Sequence, residues 1–316
     1  MRILVAGGTG LIGSALLRAL IEEGHSIALL SRSKREFPGL EKIQTLVWDG
    51  VTTKGWGESV NDVDAIINLA GENIGRFPWT AGRKAKFRES RVFAGQALAK
   101  AIRESRVRPK TFIQASAVGF YGPRGNERID ETSSPGMDFS SRLCADWEDS
   151  TRGIEDLGIR RVLLRTGIVL SNRGGVLPKM AFPVKLFVGG RLGSGQQGIP
   201  WIHVDDEINA IQFLLRNESA KGAYNLSAPN PVSNSVFMKT LAEILHRPYW
   251  LHIPSFIIRI LLGDMSTLLL DGQFVIPARL LESGFKFNYH TLELALDDFL
   301  GKGLSSNRLC NRTFML

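Results

Sequence analysis

Cysteine is almost missing from this 316-residue chain: Cys144 and Cys310 are the only two, far apart and with no CxxC spacing. That excludes a disulfide framework and a cysteine-based zinc site, so no metal is expected, and a reducing interior is the simplest setting. Long apolar runs are also missing. The longest near the end, Phe256 to Leu262, is interrupted by Arg259 and stopped by Gly263 and Asp264. It falls far short of the ~20 residues needed to span a bilayer, so no membrane partner is expected. The first residues, Arg2-Ile3-Leu4-Val5-Ala6, enter a strand pattern at once and leave no room for a signal peptide. A cytoplasmic protein is the expectation. Disorder is excluded by a composition that is 44% hydrophobic and 22% charged.

What is present is an alternation. Short β-type runs at Ile3–Ala6, Ile27–Leu30, Thr45–Trp48, Ala65–Leu69, Phe112–Ala115 and Val162–Leu170 are separated by helical patterns at Leu11–Glu23 and Ala81–Arg106. Runs so apolar suit strands buried on both faces, and the alternation predicts a Rossmann-type α/β fold with a doubly wound parallel sheet. Gly24 is placed to end the first helix. From Gly174 to Pro200, glycines and prolines predict an extended loop region. A helix at Asp206–Arg216 and a strand at Ala223–Leu226 predict a return to the sheet. The expected organisation is a dinucleotide domain over 1–170, joined by 204–228. An interleaved, smaller α/β lobe over 171–203 and 229–300 follows, with a tail over 301–316.

Gly7-Gly8-Thr9-Gly10-Leu11-Ile12-Gly13 follows the first strand and opens the first helix. In that context the spacing is a dinucleotide fingerprint: Gly7 for the sharp turn, Gly10 for backbone approach to a pyrophosphate, Gly13 for close helix packing. The residue ending the second strand chooses between coenzymes, because an acid there binds ribose hydroxyls and a cation accepts a 2′-phosphate. Here Ser31 and Arg32 stand at that place, with Lys34 and Arg35 behind and no acid before Glu36. NADP(H) is the predicted cofactor. Asp49, after the third strand, is a candidate neighbour of the adenine amino group or a turn residue beside Gly50. The net charge of +8 would suit any polyanion. The basic helix from Ala81, however, contains Glu89 and reads as a solvated face rather than a nucleic-acid surface.

Several segments in order resemble the extended short-chain dehydrogenase/reductase superfamily: Gly7 to Gly13, Asn68-Leu69-Ala70-Gly71, Ser116 to Gly122, and Trp201-Ile202-His203-Val204-Asp205-Asp206. Asn68 to Ile74, Gly189 to Asp206 and Gly222 to Pro231 are similar to its atypical epimerase-family branch. Leu269 to Gln273, Val275-Ile276-Pro277 and Gly284-Phe285 are similar to that branch's C-terminal extension. The resemblance implies NADP binding, with Ser31, Arg32, Leu69, Ala70, Arg91 and Val169 at cofactor-contact positions and Gly71 beside them.

That superfamily ordinarily moves its proton with a Tyr-x-x-x-Lys pair on one helix face. Aligning Glu148 with the family's downstream acid puts Ser140 at the Tyr position and Cys144 at the Lys position, so the pair is absent. Cys144 reads as a small core residue or a reactive thiol. Ser116 and Tyr121 remain the catalytic candidates, Tyr121 with the alternative of a cleft wall. His203 is implied to fix the loop between the lobes, and Asp205 and Asp206 to cap the next helix. Arg165 reads either as a cleft residue for an anionic substrate group or as a buried arginine paired to an acid, and Glu72 as a cleft residue. The expected activity is NADP(H)-dependent oxidoreductase or epimerase chemistry on a small molecule whose identity the sequence does not contain. The competing reading is a noncatalytic NADP-responsive binding protein, of a kind whose relatives carry names linked to division. Oligomeric state is open.

Overall fold

Strand and helix alternate from the start: β1 (Arg2–Ala6), α1 (Leu11–Glu22), β2 (Ser26–Ser31), β3 (Ile43–Val47), β4 (Ala65–Asn68), α2 (Ala81–Glu104) and β5 (Thr111–Ala117). A short β6 (Arg128–Ile129) precedes α3 (Phe139–Asp149), β7 (Arg160–Thr166) and β8 (Ile168–Leu170). Next come α4 (Leu177–Lys185), β9 (Gly190–Leu192), β10 (Gly198–Ile199), β11 (Trp201–His203), α5 (Val204–Arg216) and β12 (Gly222–Leu226). The chain ends with β13 (Val232–Ser233), α6 (Asn234–Ile244), β14 (Leu251–Ile253), α7 (Ser255–Leu262), α8 (Thr267–Leu270), β15 (Phe274–Val275), α9 (Ala278–Glu282) and α10 (Leu292–Leu300). This computed structural model describes residues 1–34 and 42–301; Arg35, Glu36, Cys310 and the tail after Gly301 lie outside the described residues.

Seven strands form one parallel sheet in the order β12-β7-β5-β4-β1-β2-β3. From β1 the chain winds outward through β2 and β3, then crosses back to β4 and continues through β5, β7 and β12. The winding therefore reverses between β1 and β4, where open α/β sheets leave a crevice at their carboxyl ends. Apolar strands drive the layering. One face packs Ile3, Val5 and Ile67 against Leu16, Leu17 and Leu20 of α1 and Ile211 and Leu214 of α5. The other packs Leu4, Ile66 and Phe112 against Ala94, Leu98 and Ile102 of α2. Gly24, at φ +85°, donates its amide to the Ile21 carbonyl and ends the first helical segment as its spacing predicts.

Three expectations need correction. The run Val162–Leu170 is two strands, not one. At Gly167 a Cβ would stand 2.3 Å from the Pro200 carbonyl oxygen, so only glycine admits that approach. The chain turns out of the sheet there, and β8 pairs with β11 instead. The glycine-rich stretch is not merely a loop: it contains α4 and two short strands, with β9 pairing β14 and β10 pairing β13. Side chains of α4 and β10 join a third core in which Leu170, Trp201, Phe237, Leu241 and Leu296 meet.

The third correction concerns capping. His203, not an aspartate, caps α5: its Nδ1 accepts the Asp205 amide at 3.1 Å. Asp206 reaches the other way and accepts the amides of Asn288 and Tyr289, both at 2.9 Å. The His203 ring is stacked between Tyr289 and Phe299, 3.6 and 4.3 Å between centroids, and its Nε2 lies 3.4 Å from an Asp298 oxygen. Burial pushes this imidazole below its ordinary pKa. His203 thus holds the start of α5 to the C-terminal segment. Among the described residues no helix is long and apolar enough to cross a membrane.

Candidate functional site

The switch point is built by glycine. Gly7 leaves β1 at φ +79°, and a Cβ on it would stand 2.5 Å from the Leu69 carbonyl at the end of β4. Gly13 packs as tightly, since its Cβ would come 2.3 Å from the Gly7 oxygen. Gly10 differs: nothing lies nearer its Cβ position than that same oxygen at 3.5 Å. Two glycines are therefore demanded by the protein's own backbone, while the third has open space beside it. No side chain caps α1 at Gly10, so the first-turn amides of a 12-residue helix face that opening with the positive end of the helix dipole.

A cavity of about 600 Å³ opens here, with Thr9, Gly10 and Leu11 forming part of its wall. The other expected contacts stand at strand ends and do not form part of that wall. Ser31, buried, ends β2, and Arg32 is exposed just beyond it with no acidic partner among the described residues. Leu69 and Ala70 follow β4; the Ala70 amide is held by Asn68 Oδ1 at 3.1 Å, and Asn68 in turn donates to Gln114. Under Gly71 lies the Arg91 guanidinium, its Cζ 3.1 Å from where a Gly71 Cβ would stand. Val169 is in β8. A pyridine dinucleotide fits this donor set: uncapped amides, a backbone approach a Cβ would fill, and a guanidinium without an acidic partner among the described residues.

Two expected contacts are explained by their surroundings as well. Asp49 closes its own turn: Oδ1 accepts the Val51 and Thr52 amides and Oδ2 the Thr52 hydroxyl. Those bonds hold its carboxyl low, at a pKa of about 2. Arg91, on the helix read as a solvated basic face, points inward. It is 9% exposed, donates to the Phe87 carbonyl and lies over the Trp147 ring, 4.9 Å from its centroid. Glu72 stays partly exposed, 3.6 Å from Arg76.

The hydroxyls of the two catalytic candidates, Ser116 and Tyr121, are engaged inside the protein. Ser116 is buried and donates to Glu148 Oε1 at 2.7 Å. Glu148 receives Arg165 on both oxygens, at 2.9 and 3.0 Å. Arg165 also donates to the Tyr121 hydroxyl at 3.0 Å, and that hydroxyl donates to Asn225 Oδ1 at 2.6 Å. Tyr121 has no exposed surface, and burial raises its pKa, so it neither reaches a cleft nor yields a proton readily. Arg165 is accordingly the buried, acid-paired arginine, its Cζ 3.5 Å from the Phe120 ring centre. Only the third dimension shows this network, because its members come from β5 and the turn after it, α3, β7 and β12.

Ser140 and Cys144 both lie against Gly119. A Cβ on Gly119 would meet Ser140 Cβ at 3.4 Å and Cys144 Sγ at 3.6 Å. Burial, followed by the Glu148 charge, pushes the Cys144 thiol up to about 12, so it is a neutral core residue. Sequence reasoning missed one wall of the cavity: Ser171 to Gly175, after β8. The doublet Gly174-Gly175 was its visible signal, submerged among the other glycines of that stretch. No metal-binding group of three or more His, Cys, Asp or Glu occurs among the described residues.

Comparison with known proteins agrees with this architecture. A profile of the NAD dependent epimerase/dehydratase family matches residues 3–227, and one described as a domain of unknown function (DUF1731) matches residues 253–299. Epimerase family protein SSP1921 of Staphylococcus saprophyticus is 39% identical over 298 residues, covering 94% of this chain and 98% of that one. Epimerase family protein YfhF of Bacillus subtilis is 39% identical over 305 residues, with 95% and 98% coverage. Among solved structures, human epimerase family protein SDR39U1 (isoform 2) with NADPH superposes with a TM-score of 0.86. It is 34% identical and covers 95% of this chain and 99% of its own.

Proposed function

Because the chain belongs to the NAD dependent epimerase/dehydratase family, we propose that it is an NADP(H)-using oxidoreductase or epimerase acting on a small molecule. In this reading Gly7, Thr9, Gly10, Leu11, Ile12 and Gly13 receive the diphosphate. Ser31 and Arg32 take the 2′-phosphate, and Asp49 stands toward the adenine. Leu69, Ala70, Gly71, Arg91 and Val169 are the remaining coenzyme contacts. The coenzyme supplies hydride exchange at a carbon bearing oxygen. The chain's part is to hold it: amides and the α1 dipole neutralise phosphate charge, and Arg32 offers a planar pair of donors to the additional phosphate.

The turn carries this reading. Of its three fingerprint glycines, Gly10 alone has no steric reason within the protein to lack a side chain. The NADPH bound to the human relative supports the phosphorylated coenzyme, as does the exposed Arg32. Ser116 and Tyr121 are not retained as proton donors, since their hydroxyls are engaged inside the network.

Titration calorimetry tests the proposal. NADPH is expected to bind at least tenfold more tightly than NADH, and Arg32→Glu to abolish that preference; a good bidentate charged contact is worth about 1.5–3 kcal/mol. Absence of binding by both coenzymes to folded protein would overturn it. Oxidation of NADPH is then followed against ketones, aldehydes and nucleotide sugars, with the Arg32→Glu variant as control.

A further inference from the structure

The cavity beside the glycine turn has a second wall that no fingerprint describes. After β8 the chain runs through Ser171, Asn172, Arg173, Gly174 and Gly175, all facing the same cavity as Thr9, Gly10 and Leu11. The contact between the walls is close. A Cβ on Gly175 would stand 3.1 Å from Leu11 Cδ2, and one on Gly174 3.7 Å from Leu11 Cδ1. Gly174 and Gly175 have φ of +156° and +77°, and the second of these lies where side chains are disfavoured. The Arg173 amide is tied back to Ser171 Oγ at 3.1 Å. Ser171 itself is buried, so the loop is anchored at its root and presents Arg173 to solvent and cavity.

Charge sorts the cavity. Its cations are Arg173 on this loop and Arg18 on α1, neither with an ion-pair partner among the described residues. Its acids, Asp205 and Asp298, belong to the start of α5 and to α10, and Asp298 lies beside His203 Nε2. Arg18 is two helical turns beyond Leu11, about 10 Å along the helix axis. Arg173 belongs to the loop that touches Leu11.

We propose that Ser171–Gly175 closes over the glycine turn as the second jaw of the dinucleotide cleft, and that Arg173 grips the diphosphate from the side opposite the α1 amides. This rests on the coenzyme reading above and adds a diphosphate ligand that the fingerprint lacks. The diphosphate is the coenzyme's own; that of a nucleotide-sugar substrate is the other source of the same chemistry. A guanidinium offers a diphosphate paired donors, whereas amides alone leave much of its charge uncompensated.

Calorimetry of the full chain at fixed salt distinguishes these cases, using NADPH, NADH, ADP-ribose and UDP-glucose as probes. Arg173→Met should weaken NADPH, NADH and ADP-ribose alike, by about tenfold or more, while Arg18→Met stays within twofold of the unaltered protein. Circular dichroism confirms that both variants are folded, and Arg173→Lys should recover part of the loss. Equal affinities for Arg173→Met and Arg18→Met, with NADPH still bound by the unaltered protein, would overturn the second jaw and leave the coenzyme reading standing. A loss confined to NADPH would assign Arg173 to the 2′-phosphate, and a loss confined to UDP-glucose would assign it to substrate; either overturns the proposal. If the unaltered protein binds neither coenzyme, the coenzyme reading fails and takes this one with it.

Discussion

Arg165 and Glu148 meet as a two-pronged ion pair inside the protein, Nε to Oε1 at 2.9 Å and Nη2 to Oε2 at 3.0 Å, with both side chains about one-tenth exposed. The pair joins β7 to α3, and through Ser116 and Tyr121 it reaches β5 and β12. Glu148→Ala leaves a buried guanidinium without its counter-charge, a change that costs about 3–5 kcal/mol. Urea denaturation should show that loss; a change below 1 kcal/mol would mean that water reaches Arg165 and replaces the carboxylate.

Tyr121→Phe separates a scaffold role from a catalytic one. Removing the hydroxyl strands the Asn225 oxygen and one Arg165 N–H, at a cost of about 1–3 kcal/mol. NADPH affinity should hold within twofold, and any NADPH oxidation found in the substrate panel should persist. A thousandfold loss of turnover with unchanged stability would restore Tyr121 to the chemistry.

Glu207 gives the fold a pH dependence. It is fully buried beneath Thr166, whose hydroxyl it accepts at 2.9 Å, and its other oxygen has no hydrogen-bond partner among the described residues. Burial raises its pKa from 4.5 to about 8. The folded state therefore keeps the proton while the unfolded chain releases it, so stability is full below the unfolded value and declines as pH rises from about 4.5 to about 8. At pH 7 the penalty is on the order of 3 kcal/mol. Glu207→Gln should lose this slope, its melting temperature rising relative to the unaltered protein through that window. Parallel pH profiles for the two proteins would refute the assignment.

Gly10 and Gly13 predict opposite failures. Ala at 13 would drive a Cβ to 2.3 Å from the Gly7 oxygen, so Gly13→Ala should lower the melting temperature as well as coenzyme binding. Gly10→Ala meets nothing nearer than 3.5 Å and should fold normally. Its methyl would nevertheless stand where the diphosphate is to lie, and NADPH affinity should fall about tenfold or more. Normal affinity in Gly10→Ala would move the diphosphate elsewhere.

Much of the sheet layer was legible because the physics that builds it is local. Apolar runs such as Ile3–Ala6 and Ala65–Leu69 have few ways to be buried except in a parallel sheet under crossover helices. A glycine turn between strand and helix likewise announces its function by spacing alone, and the Ser31-Arg32 pair proposes the coenzyme by charge. The break at Gly167 was illegible, because its cause is the Pro200 carbonyl, a residue from another part of the chain.

The partners of the catalytic candidates were illegible for a related reason. Ser116 and Tyr121 lie near a strand end, as a sequence pattern can show, but the direction of a side chain depends on which partner arrives beside it. Glu148, Arg165 and Asn225 arrive from α3, β7 and β12 and turn both hydroxyls inward. The amino-acid order alone settled the layered fold and the turn at its head, since periodicity and backbone freedom are properties of neighbouring residues. Packing of distant segments decided which polar groups are spent on one another and that Ser171–Gly175 faces the turn, because burial and hydrogen bonding are satisfied only when those segments meet.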